Sequence, residues 1–250
     1  MCLIVVGWRA HAGFPLVVAA NRDEFHRRPT APAAEWADHP GTFGGRDLEA
    51  GGTWLGVGRG GRFAAVTNVR EPGSEPGRIS RGELPLRFLA GDVSAAEYCR
   101  RVDGKAYAGF NLLASDGHSL WYCSNRDAVA ARELPPGIYG LSNHLLDSPW
   151  PKLLTARKRF ADALDKLPDP EPMFGVLADD EIVPDPELPA TGVPLEWERM
   201  LSAIFVSSPT YGTRASTVLT VAADENLRFE ERSFGADGSP LQSSRISTGV

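Results

Sequence analysis

The chain opens on an unbroken apolar run, Cys2 to Trp8 (CLIVVGW). It is rich in β-branched residues and has no helical period, which predicts a buried strand. Residues 9–13 make a turn, and Phe14 to Ala20 (FPLVVAA) is a second run of the same kind. An N-terminal hairpin is therefore predicted. Asn21 to Pro40 is polar and Pro-bearing, shows little periodicity and reads as irregular. Thr53 to Gly58 and Arg62 to Asn68 predict another hairpin, turning at Arg59-Gly60-Gly61. The segment 70–78 (REPGSEPGR) must be a loop. Two helices are predicted next: Arg81 to Ala90, ended by Gly91, and Ser94 to Val102, where Ser94 and Glu97 form a capping box.

Phe110 to Ala114, Ser119 to Ser124, Val129 to Leu134 and Ile138 to Ser142 read as further strands, with Asp116-Gly117 as the first turn. Ser148 as N-cap and Pro149 at the first helical position start a helix that runs to about Leu167. Trp150, Leu153, Leu154, Phe160 and Leu164 form its apolar side. A Pro-rich stretch follows and is predicted to wrap the surface, with one short helix near 171–179. Ala203 to Ser207, Ser216 to Ala222 and Leu227 to Phe234 are the last predicted strands. The final ten residues read as frayed.

Strands joined by hairpins make antiparallel sheets, and helices in separate runs cover their outer faces. The pattern is that of an α+β layered domain, two stacked sheets between helix layers, over residues 1–250. A chain of 250 residues buries enough surface to need no disulfide or structural metal. The formal net charge of −6 argues against a protein that coats nucleic acid or an anionic membrane. Cys2, Cys99 and Cys123 are far apart, with no CxxC, zinc spacing or haem-attachment motif, which suits a reducing cytoplasmic setting. The opening apolar run is too short for a membrane span and lacks a basic region before it, so neither a signal peptide nor membrane insertion is expected. No metal site is expected, because the histidines show no ligand spacing. Gly56 to Gly61 lies between strands rather than opening a helix, which rejects a phosphate loop.

Position 2 carries the most chemistry. A small residue after Met1 favours removal of that Met, leaving Cys2 with a thiol and a free α-amine. The amine has an unperturbed pKa near 8 and can serve as general base for the thiol. The plain alternative is packing, since Cys is among the most buried residues. If the second strand continues through Asp23, alternation puts Asn21 and Asp23 on one face and Arg22 and Glu24 on the other. The Asn21/Asp23 face is expected toward Cys2. Taken alone, Asn68 and Asn143 read equally as turn residues, Arg22 and Glu24 as solvated charges, Arg214 as exposed and His144 as structural.

Four segments come in order: Ala19-Ala20-Asn21-Arg22-Asp23-Glu24 with Met1-Cys2 upstream, Val66 to Pro72 (VTNVREP), Tyr139 to His144 (YGLSNH), and Tyr211 to Thr217 (YGTRAST). Together they resemble the NRDE family, also called the Transport and Golgi organisation protein 2 family, and the likeness runs the whole chain. That family is similar in pattern to the N-terminal-nucleophile (Ntn) hydrolases of the choloylglycine-hydrolase and penicillin-acylase type. The resemblance implies a four-layer αββα sandwich and cleavage of non-peptide amides by an N-terminal Cys. It implies that Cys2 is the nucleophile, that Asp23 holds the α-amine and that Asn68 is an oxyanion donor. Asn143 would orient the amine and substrate, and Arg214 would polarise the site. Asn21, Arg22, Glu24 and His144 would support them. One departure stands out: Ala20 occupies the position where those hydrolases carry an Arg.

Two functional expectations follow. In the first, Cys2 forms an acyl-thioester with a linear N-acyl amide, a small-molecule substrate, and no cofactor is required. In the second, motivated by Ala20, the same cleft serves a non-catalytic protein of haem or lipid/acyl binding and trafficking, as the resemblance to eukaryotic family members implies. Neither fixes an oligomeric state.

Overall fold

The computed structural model describes residues 2–249, so Met1, on whose removal the first expectation turns, lies outside the described residues. In chain order the strands and helices are β1 (Cys2–His11), β2 (Phe14–Phe25), β3 (Thr30–Glu35), β4 (Phe43–Asp47), β5 (Leu55–Val57), β6 (Phe63–Asn68), α1 (Glu83–Ala90) and α2 (Ala95–Arg101). They continue as β7 (Phe110–Ser115), β8 (Leu120–Ser124), β9 (Ala131–Glu133), β10 (Gly137–Leu141), α3 (Pro151–Leu164) and α4 (Glu171–Leu177). The last are α5 (Leu195–Met200), β11 (Tyr211–Val221), β12 (Asn226–Phe234) and β13 (Pro240–Gly249).

The strands form two antiparallel sheets. One is six-stranded in the order β10-β1-β2-β11-β12-β13; the other is seven-stranded in the order β3-β4-β5-β6-β7-β8-β9. Strand alternation sorts the side chains into layers. Ile4, Val6, Trp8, Leu16 and Val18 meet Phe43, Leu55, Phe63 and Leu113 between the sheets. Leu3, Val5, Val17 and Ala19 face the other way, under Leu153, Phe160, Phe174 and Leu177 of α3 and α4. On the second sheet, Ala64, Leu112 and Ala114 pack beneath Phe88 and Leu89 of α1 and Cys99 of α2. The result is the four-layer αββα sandwich.

Several elements depart from expectation. The stretch 21–40 carries the last five residues of β2 and all of β3. The sequences of β3 and β4 (TAPAAE, FGGRD) are poor in β-branched residues, so pairing rather than propensity makes them strands. The third helix begins at Pro151 with Trp150 as N-cap, not at Pro149. Residues 203–207 are not a strand; Ile204 and Val206 are buried under bends instead. The end predicted to fray is β13, which pairs with β12 from Pro240 to Gly249. Its polar sequence hides it, because one flank is a sheet edge.

A buried acid stitches the two sheets together. Glu231 of β12 is 1% exposed, and its Oε1 accepts from the backbone N–H of Ala33 on β3 at 2.7 Å. Thr217 Oγ1 donates to its Oε2 at 3.3 Å. Burial pushes this carboxyl up to about 7.

Candidate active site

Cys2 begins β1 and is 9% exposed. The pairing of β1 with β2 sets Cys2 directly opposite Arg22 and Leu3 opposite Asn21. Directly opposed residues share a face. Cys2 and Arg22 therefore both lie on the inter-sheet side, in line with Ile4 and Ala20. This corrects the expectation that Asn21 and Asp23 share the thiol's face. Asn21 points under the helices, where its Nδ2 donates to the carbonyls of Leu177 and Ile204 at 2.8 and 2.9 Å. Its Oδ1 accepts from Ser216 Oγ at 2.6 Å.

Arg22 is 5% exposed and has a built seat. Its guanidinium lies 4.2 Å from the Trp54 ring centroid, and its NH1 donates to Thr30 Oγ1 at 3.0 Å. Gly45 makes room for that ring: a Cβ there would fall 2.1 Å from Trp54 Cζ2. The cation that Ala20 cannot supply thus arrives two residues later, on the same face.

Cys2, Arg22, Asp23, Glu24, Asn68 and Arg81 line one polar cleft of about 160 Å³ at the end of the sandwich. Burial pushes the Cys2 thiol up and the Asp23 carboxylate adds to this, whereas the Arg22 guanidinium and a hydrogen bond from the Asp23 backbone N–H pull it down. The Asp23 side chain itself is turned toward β11: Thr213 Oγ1 donates to its Oδ1 at 2.7 Å, and Tyr211 OH donates to its carbonyl at 2.9 Å. Burial pushes this carboxyl up, opposed by the charge of Lys152 and by the Thr213 hydrogen bond.

Asn68 ends β6 on the opposite sheet. Asn143 is fully buried, and its Nδ2 donates to the Asn68 carbonyl at 3.0 Å and more weakly to Asn68 Oδ1 at 3.5 Å. That second contact orients the Asn68 amide. Ser142 Oγ donates to the Cys2 carbonyl at 3.1 Å, so the 142–143 pair grips both the start of β1 and the end of β6.

Two expected residues are elsewhere. Arg214 sits in a bulge of β11 and donates through NH1 to the carbonyls of Phe25, His26 and Arg28 at 3.1 to 3.3 Å. It lines a separate small cavity beside Glu231. His144 is exposed, with its Nδ1 2.7 Å from Ser148 Oγ. Glu24 does reach the cleft, but lies 3.9 Å from Arg28.

Two other residues carry no sequence signal. Lys152, in the first turn of α3, is 5% exposed; its Nζ donates to the Leu201 carbonyl at 2.8 Å. Burial lowers this amine to about 8, with Asp23 opposing. Arg81 precedes α1 and enters the cleft from the second sheet's helix layer. A lone Lys in a helix and an Arg after a loop look like surface charges. Among the described residues no His/Cys/Asp/Glu cluster could hold a metal, and no helix is long and apolar enough to cross a membrane.

The sequence profile of the Transport and Golgi organisation 2 family matches residues 1–236. The chain is 39% identical over 246 residues to the Transport and Golgi organization protein 2 homolog of Bos taurus, covering 90% of this chain and 88% of that one. To the Homo sapiens homolog it is 38% identical over 241 residues, with 88% and 87% covered. Among solved structures, the Caenorhabditis elegans N-acylethanolamine-hydrolyzing acid amidase ortholog matches with a TM-score of 0.52 at 13% identity. That match covers 87% of this chain and 92% of the other, and it is a likeness of fold.

Proposed function

The chain belongs to the Transport and Golgi organisation 2 family, and from that premise and the geometry of the cleft we propose that it is an N-terminal-cysteine hydrolase of linear, non-peptide amides. The observation that carries this reading is the placement of the Cys2 thiol beside the Arg22 guanidinium, in a cleft that also holds Asn68. A thiol serving only as packing has no use for a cation or an oriented amide.

Removal of Met1 gives Cys2 a free α-amine, which takes the thiol proton. The thiolate attacks the amide carbonyl carbon, and the oxyanion accepts a hydrogen bond from Asn68 Nδ2. A fixed neutral donor of this kind is worth about 2.7–4 kcal/mol of transition-state stabilisation. The ammonium passes its proton to the leaving nitrogen as the C–N bond breaks, leaving a thioester on Cys2. Water, deprotonated by the same amine, then attacks the thioester and releases the acid and the thiol. Thr213 holds Asp23 from behind by its hydrogen bond, and the Lys152 charge favours the ionised form, as the carboxylate that positions the amine. The fold-related amidase is named for hydrolysis of N-acylethanolamines, a linear amide, which is the bond class assigned here. Substrate sites commonly measure about 300–1,000 Å³. A cleft of about 160 Å³ takes the reacting end of such a molecule and leaves its chain outside.

The test is intact mass combined with turnover. Protein shown to lack Met1 is incubated with a panel of N-acyl amides. An acyl adduct on Cys2 is expected, with turnover lost by about a thousandfold or more in Cys2→Ala. Neither adduct nor turnover across the panel would overturn the proposal in favour of the non-catalytic haem or lipid/acyl carrier.

A further inference from the structure

The charges in the cleft do not balance locally. Three arginines line it: Arg22, Arg28 and Arg81. Arg28 is saturated, bonded to Asp47 and Glu49 at 2.8 Å and flanked by Glu24 at 3.9 Å. That consumes two of the three acids lining the cleft, and the third, Asp23, turns its side chain to Thr213. Arg22 and Arg81 have no carboxylate within ion-pair distance among the described residues. Arg22 is held by Trp54 and Thr30, as described.

Arg81 is different. It is half-buried, and NH1 donates to the Gly109 carbonyl at 3.2 Å. Glu71, whose charge also acts on Arg81, is taken by Arg126, with a bond of 2.9 Å from NH2 to its Oε2. A guanidinium has five N–H donors in a planar fork that matches a carboxylate. Burial lowers the Arg81 pKa, and the Cys2, Glu24 and Glu71 charges oppose this only from beyond ion-pair distance.

Resting on the hydrolase reading of the same cleft, we infer that its substrates carry a carboxylate and that Arg81 recognises it. The class is N-acyl amino acids: a linear amide whose leaving amine bears a carboxylate two bonds from the nitrogen. The polar walls decide which half of the molecule enters. They offer no bed for an acyl chain and do offer an unpaired guanidinium, so the amino-acid half lies in the cleft and the chain leaves by the mouth. A neutral N-acylethanolamine leaves Arg81 without its anion. Arg81 is thus a specificity-determining residue on the leaving-group side. Hydrolysis returns a fatty acid and a free amino acid.

The test separates recognition from chemistry. In Cys2→Ala, which cannot turn over, N-octanoylglycine and N-octanoylethanolamine are compared by calorimetry. Charge-assisted hydrogen bonds imply that the glycine amide binds about tenfold or more tightly. Adding Arg81→Gln should erase that preference by weakening the glycine amide alone, and Arg81→Lys should restore part of it. Thermal denaturation checks that both variants fold, and the Lys variant keeps the test sharp if the Gln variant does not. Equal affinities, or an Arg81→Gln loss shared by both amides, would overturn the inference. A binding preference with no acyl adduct in the Cys2 protein would sustain the carboxylate site and sink hydrolysis. Adducts from both amides with no binding preference would do the reverse.

Discussion

The two halves of β2 invite comparison. Leu16 to Ala20 and Asn21 to Asp23 are equally buried and lie on one strand; the pairing with β11 is regular through Arg22 and shifts at the bulge before Asp23. The first half meets apolar neighbours on both faces. The second buries an amide, a guanidinium and a carboxylate, and every one is held by a partner distant in sequence. Apolar burial is non-directional, so any well-shaped neighbour serves. Polar burial demands specific partners, and those come from α4, β3, β11 and the 201–206 segment. The contrast teaches that the site is not a defect in the core. It is a second core, built on hydrogen bonds, continuous with the first.

The comparison is sharpened most by Asn21→Leu. That change orphans the Leu177 and Ile204 carbonyls and the Ser216 hydroxyl, each costing about 1–3 kcal/mol. A loss of about 4 kcal/mol in denaturant unfolding is expected. In the apolar half, Leu16→Ala should cost about 3 kcal/mol. If the Leu variant at 21 proves milder than the Ala variant at 16, the polar half is not integral to folding and the comparison breaks.

The smallest effect concerns Glu231, which belongs to the polar set on β12. Its folded value of about 7 lies above its ordinary 4.5. A raised acid favours the protonated folded state, so this contribution to stability is complete below 4.5 and is lost as pH rises through about 7. Glu231→Gln keeps the Ala33 bond through its amide oxygen and turns the Thr217 contact round, the amide N–H donating to Thr217 Oγ1, without the charge. It should flatten the pH dependence of the melting temperature across that window; an unchanged slope would show that the Glu231 carboxyl titrates in the folded protein as it does in the unfolded one.

Much of this was legible before any coordinates. Apolar runs located β1 and β2, and alternation correctly separated Asn21 and Asp23 from Arg22. Which face Cys2 shares was not legible, because that depends on hairpin parity. The register between β1 and β2 shifts between Trp8 and His11, and a slip of one residue flips every side chain across. Four short motifs brought Cys2, Asp23, Asn68 and Asn143 to notice, and they converge at one end of the sandwich. Arg214 was misplaced for a local reason, the bulge that carries it out of line with its neighbours. Arg81 and Lys152 were invisible because their burial comes from elements packed over them. Segments such as β3, β4 and β13 lack propensity and take their form from the neighbour they pair with.

β1 is an interior strand, laddered to β10 on one flank and to β2 on the other. The sulfur at its end therefore inherits its coordinates from a whole sheet, like a bracket welded to a girder, whereas Arg81 hangs from the short link between a loop and α1. A lineage refitting this scaffold for new molecules would leave the warhead untouched and rewrite the link.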